Sequence, residues 1–306
     1  MRARAPASAA NLGPGLDVLA VALDLYVEVV VEPADRLRVS SEGEGSHLPM
    51  DATHLAARVA TQVCGHDRFA IRVRSEVPVA RGLGSSAAIA VAAAAAAGAE
   101  DPLAVAARLE GHPDNAAAAL VGGLVAVNAI DEGLRVSKLP LDAELAFVAL
   151  VPDDPLETSR ARAALPENVP RADAVFNLGR LALLLEGLAD CRKLVPAAAR
   201  DRLHQPPRTA LFPEAPGLLA ALEAGGARAA CWSGAGPTLL GICAEGEADA
   251  VVEAGRAGLD EAGVAGRVLL LHADVQGVVV SGDDGDDGDD GDDGDDGDDK
   301  VPPSWR

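Results

Sequence analysis

The stretch that most limits how this chain can fold is the junction between two different periodicities across residues 69–97. Phe69, Ile71, Val73 and Val77 alternate with Arg72, Arg74 and Glu76, the period of a strand with one buried face. Residues 86–97 then run without a charge or a helix breaker, which predicts a helix buried on every side. Between them lies Arg81-Gly82-Leu83-Gly84-Ser85-Ser86. Glycines let the main chain approach a ligand closely, and the helix start behind them presents N–H groups with no intrahelical acceptor. Together they can cradle a phosphate. The loop is not the common NTPase motif, because Gly84 is followed by serine where that motif needs lysine. It also lacks the third glycine of a dinucleotide fingerprint. A tight turn before a core helix fits the same residues, so the loop alone leaves both readings open.

The rest of the composition restricts the function classes. The chain has 306 residues, 49% of them apolar and 2% aromatic, enough for one large domain or two ordinary ones. Alanine, leucine and valine must therefore fill the interior, which favours close helix-to-sheet contact. The net charge is -21. Twelve of the 47 acidic residues fall in a Gly-Asp-Asp repeat between residues 282 and 299, and the remainder is still acidic. No basic patch suggests nucleic acid, and the field would oppose it. Residues 281–306 are expected to form a disordered tail. Cys64, Cys191, Cys231 and Cys243 show no metal-ligand spacing and read as reduced thiols of a cytoplasmic protein. No signal segment is expected, and the uncharged run at 86–99 is too short to span a bilayer.

Periodicity and punctuation predict strands at 2–5, 25–32, 37–40, 69–77, 124–128, 145–151, 229–232, 239–243, 268–271 and 275–280. Helices are expected at 18–23, 53–64 (capped by Thr53 and ended by Gly65), 86–97, 101–110, 116–120, 172–186, 191–203, 217–224 and 247–262. Residues 6–17 and 233–238 read as two further glycine loops, and 158–166 as a short basic helix or turn. A domain boundary is expected at 130–144, where Gly133 and Pro140 interrupt the apolar pattern.

Several polar residues stand out. Glu110, His112, Asp114 and Asn115 crowd a bend between two helices. Glu110 offers the carboxylate oxygen that magnesium prefers; alternatively, Asp114 caps a helix and Glu110 is solvated. Asn11 and Asp17 can orient a small polar substrate, or Asp17 can cap the helix expected after it. Arg160 and Arg162 form an anion site or pair with local acids. Arg208 follows a stretch stiffened by Pro206 and Pro207, and a fixed arginine suits two-pronged recognition of a carboxylate or phosphate.

Three ordered segments carry a resemblance. Residues 6–19, residues 81–88 and Ser233-Gly234-Ala235-Gly236-Pro237-Thr238 resemble the three motifs of the GHMP small-molecule kinases. Within that superfamily, Glu110-Gly111-His112-Pro113-Asp114-Asn115 and Trp232 to Pro237 resemble the homoserine kinases. The resemblance implies an α+β two-domain GHMP kinase fold. Residues 1–140 would form an N-terminal mixed-sheet α/β domain, and residues 141–280 a C-terminal ferredoxin-like α+β domain. ATP would set its phosphates on Arg81, Gly82, Leu83, Gly84, Ser85 and Ser86, with Gly234 and Gly236 shaping the site. Ser86 and Glu110 would hold Mg2+. Asn11, Asp17, His112 and Arg208 would bind the amino-acid substrate. Asn115, Arg162 and, as a candidate base, Asp114 would serve in-line transfer of the γ-phosphoryl group to the terminal hydroxyl of L-homoserine, a step of threonine biosynthesis. A homodimer is implied by the same likeness. Gly13-Pro14-Gly15-Leu16 departs from many relatives, which loosens the substrate assignment. The alternatives are a kinase of another small alcohol, mevalonate-like or a sugar, and a non-catalytic nucleotide-binding protein of the same fold. A nicotinamide oxidoreductase fails for want of its glycine loop and ribose-binding acid.

Overall fold

The computed structural model describes residues 1–131 and 133–282. The Gly-Asp-Asp repeat, expected to be a disordered tail, lies outside the described residues. Among those described, the N-terminal sheet contains β1 (Arg2–Ala10), β2 (Leu19–Pro33), β3 (Arg38–Gly43), β4 (Phe69–Ser75), β5 (Leu124–Ile130) and β6 (Gly133–Leu139). β3 and β4 run parallel while the other pairs are antiparallel, so the sheet is mixed.

The first strand does not stop at residue 5 but continues to Ala10, and Pro6, which cannot donate to a ladder, sits at a register shift opposite β2. Of residues 18–23, expected as a helix, Leu19 to Leu23 open the strand β2 and Val18 lies in the turn before it. Their apolar run has no helix start, because Asp17 has φ 56. Pairing with both β1 and β5 satisfies their backbone instead.

Four helices follow in the first half: α1 (Leu55–Cys64), α2 (Ser85–Ala96), α3 (Pro102–Glu110) and α4 (Asp114–Val121). α1 is capped by His54, whose Nδ1 accepts from the Ala56 N–H, and not by Thr53. α2 packs against β1 and β2 and against α1, α3 and α4, with residues from Ala87 to Ala96 all buried. Alanine is what such a position needs: Ala7, Ala9, Ala20 and Ala22 are also fully buried, and small side chains on both layers let helix and sheet approach.

The second sheet holds β7 (Leu145–Pro152), β8 (Ala229–Trp232), β9 (Leu239–Ala244) and β10 (Gly266–Leu271), in the order β10-β7-β9-β8 and antiparallel throughout. The helices of this half are α5 (Thr158–Ala163), α6 (Arg171–Ala189), α7 (Gln205–Arg208), α8 (Ala215–Ala224) and α9 (Ala248–Ala262). α8 and α9 pack on each other and on the sheet. This strand order with helices on one layer is the ferredoxin-like arrangement. β11 (Val279–Ser281) then pairs with β1 and returns the chain to the first sheet.

Residues 191–203 are not the helix their composition predicts. They form short 3-10 turns at Cys191–Lys193 and Pro196–Ala199. Pro196 interrupts an α-helical ladder, and the Asp190 and Asp201 side chains accept main-chain N–H groups in its place. β6 occupies the stretch expected to be an irregular boundary; its β-hairpin with β5 gives that stretch main-chain partners that its own polar composition does not announce.

Candidate active site

The loop ahead of α2 is anchored before it is functional. Arg81 Nε donates to the Pro152 carbonyl at 2.8 Å and Nη1 to the Val79 carbonyl at 3.0 Å, while Nη2 donates to the Asp153 carbonyl. Its guanidinium thus ties the loop to the end of β7. Leu83 is fully buried, and its carbonyl accepts from the Ser8 N–H at 3.1 Å. Gly82 and Gly84 have φ of 80° and 67°, where glycine is strongly favoured. A side chain at Gly82 would strike the Ser233 carbonyl, and one at Gly84 the Ser8 hydroxyl. Gly84 is the N-cap of α2 and supplies no side-chain acceptor, so the first-turn N–H groups point into the cleft as an anion cradle. The Ser85 hydroxyl is buried with no hydrogen-bond partner among the described residues.

The opposite edge of that loop is formed where α3 ends. Gly111 takes the left-handed conformation and closes the helix. Ser86 Oγ donates to Glu110 Oε1, so these two oxygen donors meet although 24 residues separate them. Burial raises the Glu110 pKa, against the opposing effect of the Ser86 hydroxyl. His112 Nδ1 lies 2.8 Å from the Glu110 carbonyl. A carbonyl only accepts, so Nδ1 carries a proton and donates. Asp114 is not the cap of α4; Pro113 is, and Asp114 lies in the first turn. The residue is 2% exposed, and its carboxylate accepts the Asn115 N–H at 2.8 Å. Burial pushes its pKa up to about 6; the Asn115 N–H works against this, and Asp17 and Glu110 add to the rise. Asn115 Oδ1 accepts from Ser8 Oγ at 2.9 Å.

The third wall joins the other two glycine loops. Asn11 Nδ2 donates to the Gly234 carbonyl at 3.0 Å, and Asn11 Oδ1 accepts the Asp17 N–H at 2.8 Å. Asp17 caps nothing. Its carboxylate meets both terminal nitrogens of Arg162, with Nη1 at 3.1 Å from Oδ2. Arg162 lines the cleft, whereas Arg160 lines a separate cavity beside Phe212 and Pro237. Arg208 is 1% exposed. The stiff segment before it forms the helical turn α7, with proline in its first turn. Burial, then the field of Arg162, lowers the Arg208 pKa to about 10, which leaves it charged at neutral pH.

Every sequence-selected site residue except Asp17, Leu83 and Gly236 lines this one cleft. Asp17 reaches it through Arg162, Leu83 lies beneath the loop, and Gly236 packs on the Trp232 ring and near the Gly82 backbone. Sequence reasoning missed Thr158, which lines the cleft, Ser8, which holds Asn115 from behind it, and His204, which stands behind Arg208. His204 and Arg208 are four residues apart, one helical turn, and that spacing was the available signal for the histidine.

Comparison with known proteins fits this geometry. A family model described as GHMP kinases N terminal domain matches residues 48–123, and one described as GHMP kinases C terminal matches residues 180–261. The homoserine kinase of Thermus thermophilus is 42% identical over 264 residues, 81% of this chain and 89% of that protein. The homoserine kinase of Streptomyces coelicolor is 39% identical over 288 residues, 86% of this chain and 93% of that protein. Among solved structures, the homoserine kinase of Cytophaga hutchinsonii superposes with a TM-score of 0.80 at 28% identity, covering 91% of this chain and 96% of that one. The mevalonate kinase of L. major, at 15% identity and a TM-score of 0.68, shares the fold. From matched motifs, topology and these relatives together, the chain belongs to the homoserine kinase family of the GHMP kinases.

Proposed function

We propose that this protein transfers the γ-phosphoryl group of ATP to the terminal hydroxyl of L-homoserine, giving O-phospho-L-homoserine and ADP in threonine biosynthesis. The observation that carries this reading is the pairing of two unlike walls in one cleft. One wall is the uncapped start of α2 behind Gly82 and Gly84, suited to phosphate. The other carries a buried arginine, Arg208, beside Arg162, which is paired in turn with Asp17. The carboxylate of a small amino-acid substrate matches Arg208, and its ammonium would take an Asp17 oxygen in place of an Arg162 nitrogen.

The roles follow from position. Residues from Arg81 to Ser86, with Gly234 and Gly236 behind them, hold the nucleotide phosphates; Arg81 acts by holding the loop in shape. Ser86 and Glu110 already touch and are oxygen donors, so they fit Mg2+ and would hold it. Bound there, the ion neutralises phosphate charge. Asn11, Asp17, His112 and Arg208 orient the acceptor. Arg162 faces the transferring charge, and Asn115 steadies the attacking hydroxyl. Asp114, ionised at neutral pH with a pKa of about 6, receives its proton. Most of the acceleration comes from positioning and charge neutralisation.

ADP release from Mg-ATP, compared across L-homoserine, mevalonate, shikimate, galactose and L-threonine with product mass, tests the reading. Preference for L-homoserine upholds it. Preference for another alcohol keeps the kinase and overturns the substrate. Binding without turnover moves the protein to the non-catalytic alternative. We place the working division at residues 1–140 and 141–280, the second half sending β11 back to the first sheet. A homodimer through the apolar side of α6, where Val175 and Leu178 are 61% and 68% exposed, completes the proposal; a monomer in sedimentation velocity would remove it. Among the described residues no helix is long and apolar enough to cross a membrane. A cytoplasmic location accords with four free cysteines, three of them buried.

A further inference from the structure

Arg208 is held by an arrangement that leaves one terminal nitrogen of its guanidinium available. Nη1 donates to His204 Nδ1 at 2.8 Å and to the Gly234 carbonyl at 3.0 Å, which uses both of its protons. Nε is buried with no partner among the described residues. Nη2 is the nitrogen left to face the cleft that Arg208 lines, where it can donate to a carboxylate oxygen.

His204 has one protonation state that satisfies these contacts. A guanidinium nitrogen only donates, so Nδ1 must accept. Nε2 then carries the proton and donates to the Gly13 carbonyl at 2.6 Å. The ring is fully buried. Burial, together with the charge of Arg208, disfavours the imidazolium, against the pull of Asp201. The ring's place is set by Asp201, whose carboxylate accepts the N–H groups of Leu203, His204 and Gln205 at 2.9, 2.8 and 2.7 Å. Asn177 Nδ2 donates to the same carboxylate at 2.7 Å. Four donors converge on one carboxylate, three from the next four residues and one from α6, so the turn bearing His204 has little freedom.

We propose that His204, seated by Asp201, is a positioning residue for the acceptor: it fixes the Arg208 guanidinium so that its Nη2 meets the substrate carboxylate, and ties that arginine to the Gly13 loop carrying Asn11 and Asp17. The proposal rests on the reading of Arg208 as the carboxylate clamp. Neutral histidine is suited to this place, because it accepts from one neighbour and donates to another across a rigid ring. Lysine or arginine in its place would repel Arg208, and an aliphatic residue would leave Nη1 with an unused buried proton.

The test uses the full chain and four variants. His204→Leu fills the space without an acceptor, and His204→Asn keeps an acceptor near the place of Nδ1. Arg208→Ala removes the clamp, and Asp201→Asn weakens the seat. His204→Leu is expected to raise KM for L-homoserine about tenfold or more, the loss expected for one charge-assisted hydrogen bond. KM for ATP should stay within about twofold of the wild type, since the nucleotide wall does not touch His204. The same variant should lose preference for L-homoserine over 3-aminopropan-1-ol, which lacks the carboxylate. His204→Asn should recover most of both effects, and Asp201→Asn should share them in weaker form. An Arg208→Ala enzyme with unchanged KM for L-homoserine would overturn the clamp itself. A changed Arg208→Ala with an unchanged His204→Leu would overturn the positioning role alone. Equal loss for both substrates and for ATP would also overturn it, since that is the mark of general damage. If His204→Leu does not fold, nitrogen NMR of the wild-type ring decides. A proton on Nε2 and a free Nδ1 lone pair at neutral pH is the expected result; a proton on Nδ1 would overturn the proposal.

Discussion

Asp114 is a carboxylate kept where water cannot help it, and its titration follows from that. Its folded pKa of about 6 lies above the ordinary carboxylate value. A raised pKa means that its stability contribution is complete below the unfolded pKa and is lost as pH rises through about 6. At pH 8, Asp114→Asn is therefore expected to melt above the wild type, by an amount on the order of 2–3 kcal/mol. Thermal melts at pH 5 and pH 8 check this, and a gain that is equal at both would refute it. If Asp114 is the base, kcat/KM falls below about pH 6 in the wild type. Asp114→Asn then removes that limb and lowers kcat by about 10²–10⁴, whereas full turnover in the variant takes the role away. The two neighbouring arginines separate as cleanly. Arg162→Ala should leave stability within about 1 kcal/mol, because its pair with Asp17 is partly exposed, yet lower kcat/KM at least about tenfold. Arg160→Ala, facing the other cavity, should leave kcat/KM unchanged; steady-state kinetics on both variants decides.

At the scale of elements, the start of α2 is defined by what it cannot carry. Gly84 has φ 67 and no room for a methyl group beside Ser8. Gly84→Ala should cost about 1–3 kcal/mol and weaken ATP binding, since the loop must shift to relieve the clash. Calorimetric titration and melting would show both, and normal ATP affinity would argue that the cradle is elsewhere. On the opposite side, Trp232 at the end of β8 is 1% exposed, stands edge-on to Phe212 and lies under Gly236. Trp232→Ala should cost about 3–5 kcal/mol in denaturant unfolding and loosen the Ser233–Thr238 turn above it. Small residues in α2 and a large one under the turn solve opposite problems: the first layer has to close up, and the second has to fill space.

For the molecule as a whole, the two sheets are also joined away from the cleft. His272, just after β10, faces Asp24 of β2 at 3.3 Å and Glu245 beyond β9 at 3.0 Å. Burial works against its charge, but the hydrogen bond and field of Glu245, then those of Asp24, outweigh it and raise its pKa. A raised histidine pKa gives stability that is present below the unfolded value of about 6.5 and fades as pH climbs through the folded value. The melting difference between wild type and His272→Gln should therefore narrow from mildly acidic to alkaline pH. A constant difference across that range would mean that the charge is irrelevant. The pair is half-exposed, so salt should shrink the effect as well.

Much of this protein is local in origin. The alternation in β4, the breaker-free run of α2, the Gly65 and Gly111 helix ends and the φ demands at Gly82 and Gly84 are properties of a few adjacent residues, and they were legible as such. So were the three motifs, because their glycines and hydroxyls sit at fixed short spacings. Other outcomes were settled by residues far apart in the chain. Residues 19–23 became strand because β1 and β5 offered them partners, and 133–139 became a strand because β5 paired with it. Ser86 met Glu110 across 24 residues, and Arg162 met Asp17 across 145. The choice between Arg160 and Arg162, and the tautomer of His204, depend on which face of a packed element looks inward. By itself the sequence determined periodicity, turn chemistry and motif identity, since these are set by backbone sterics and near neighbours. Pairing, side-chain convergence and the electrostatics of burial were decided by the tertiary structure, because they exist only once distant segments exclude water together.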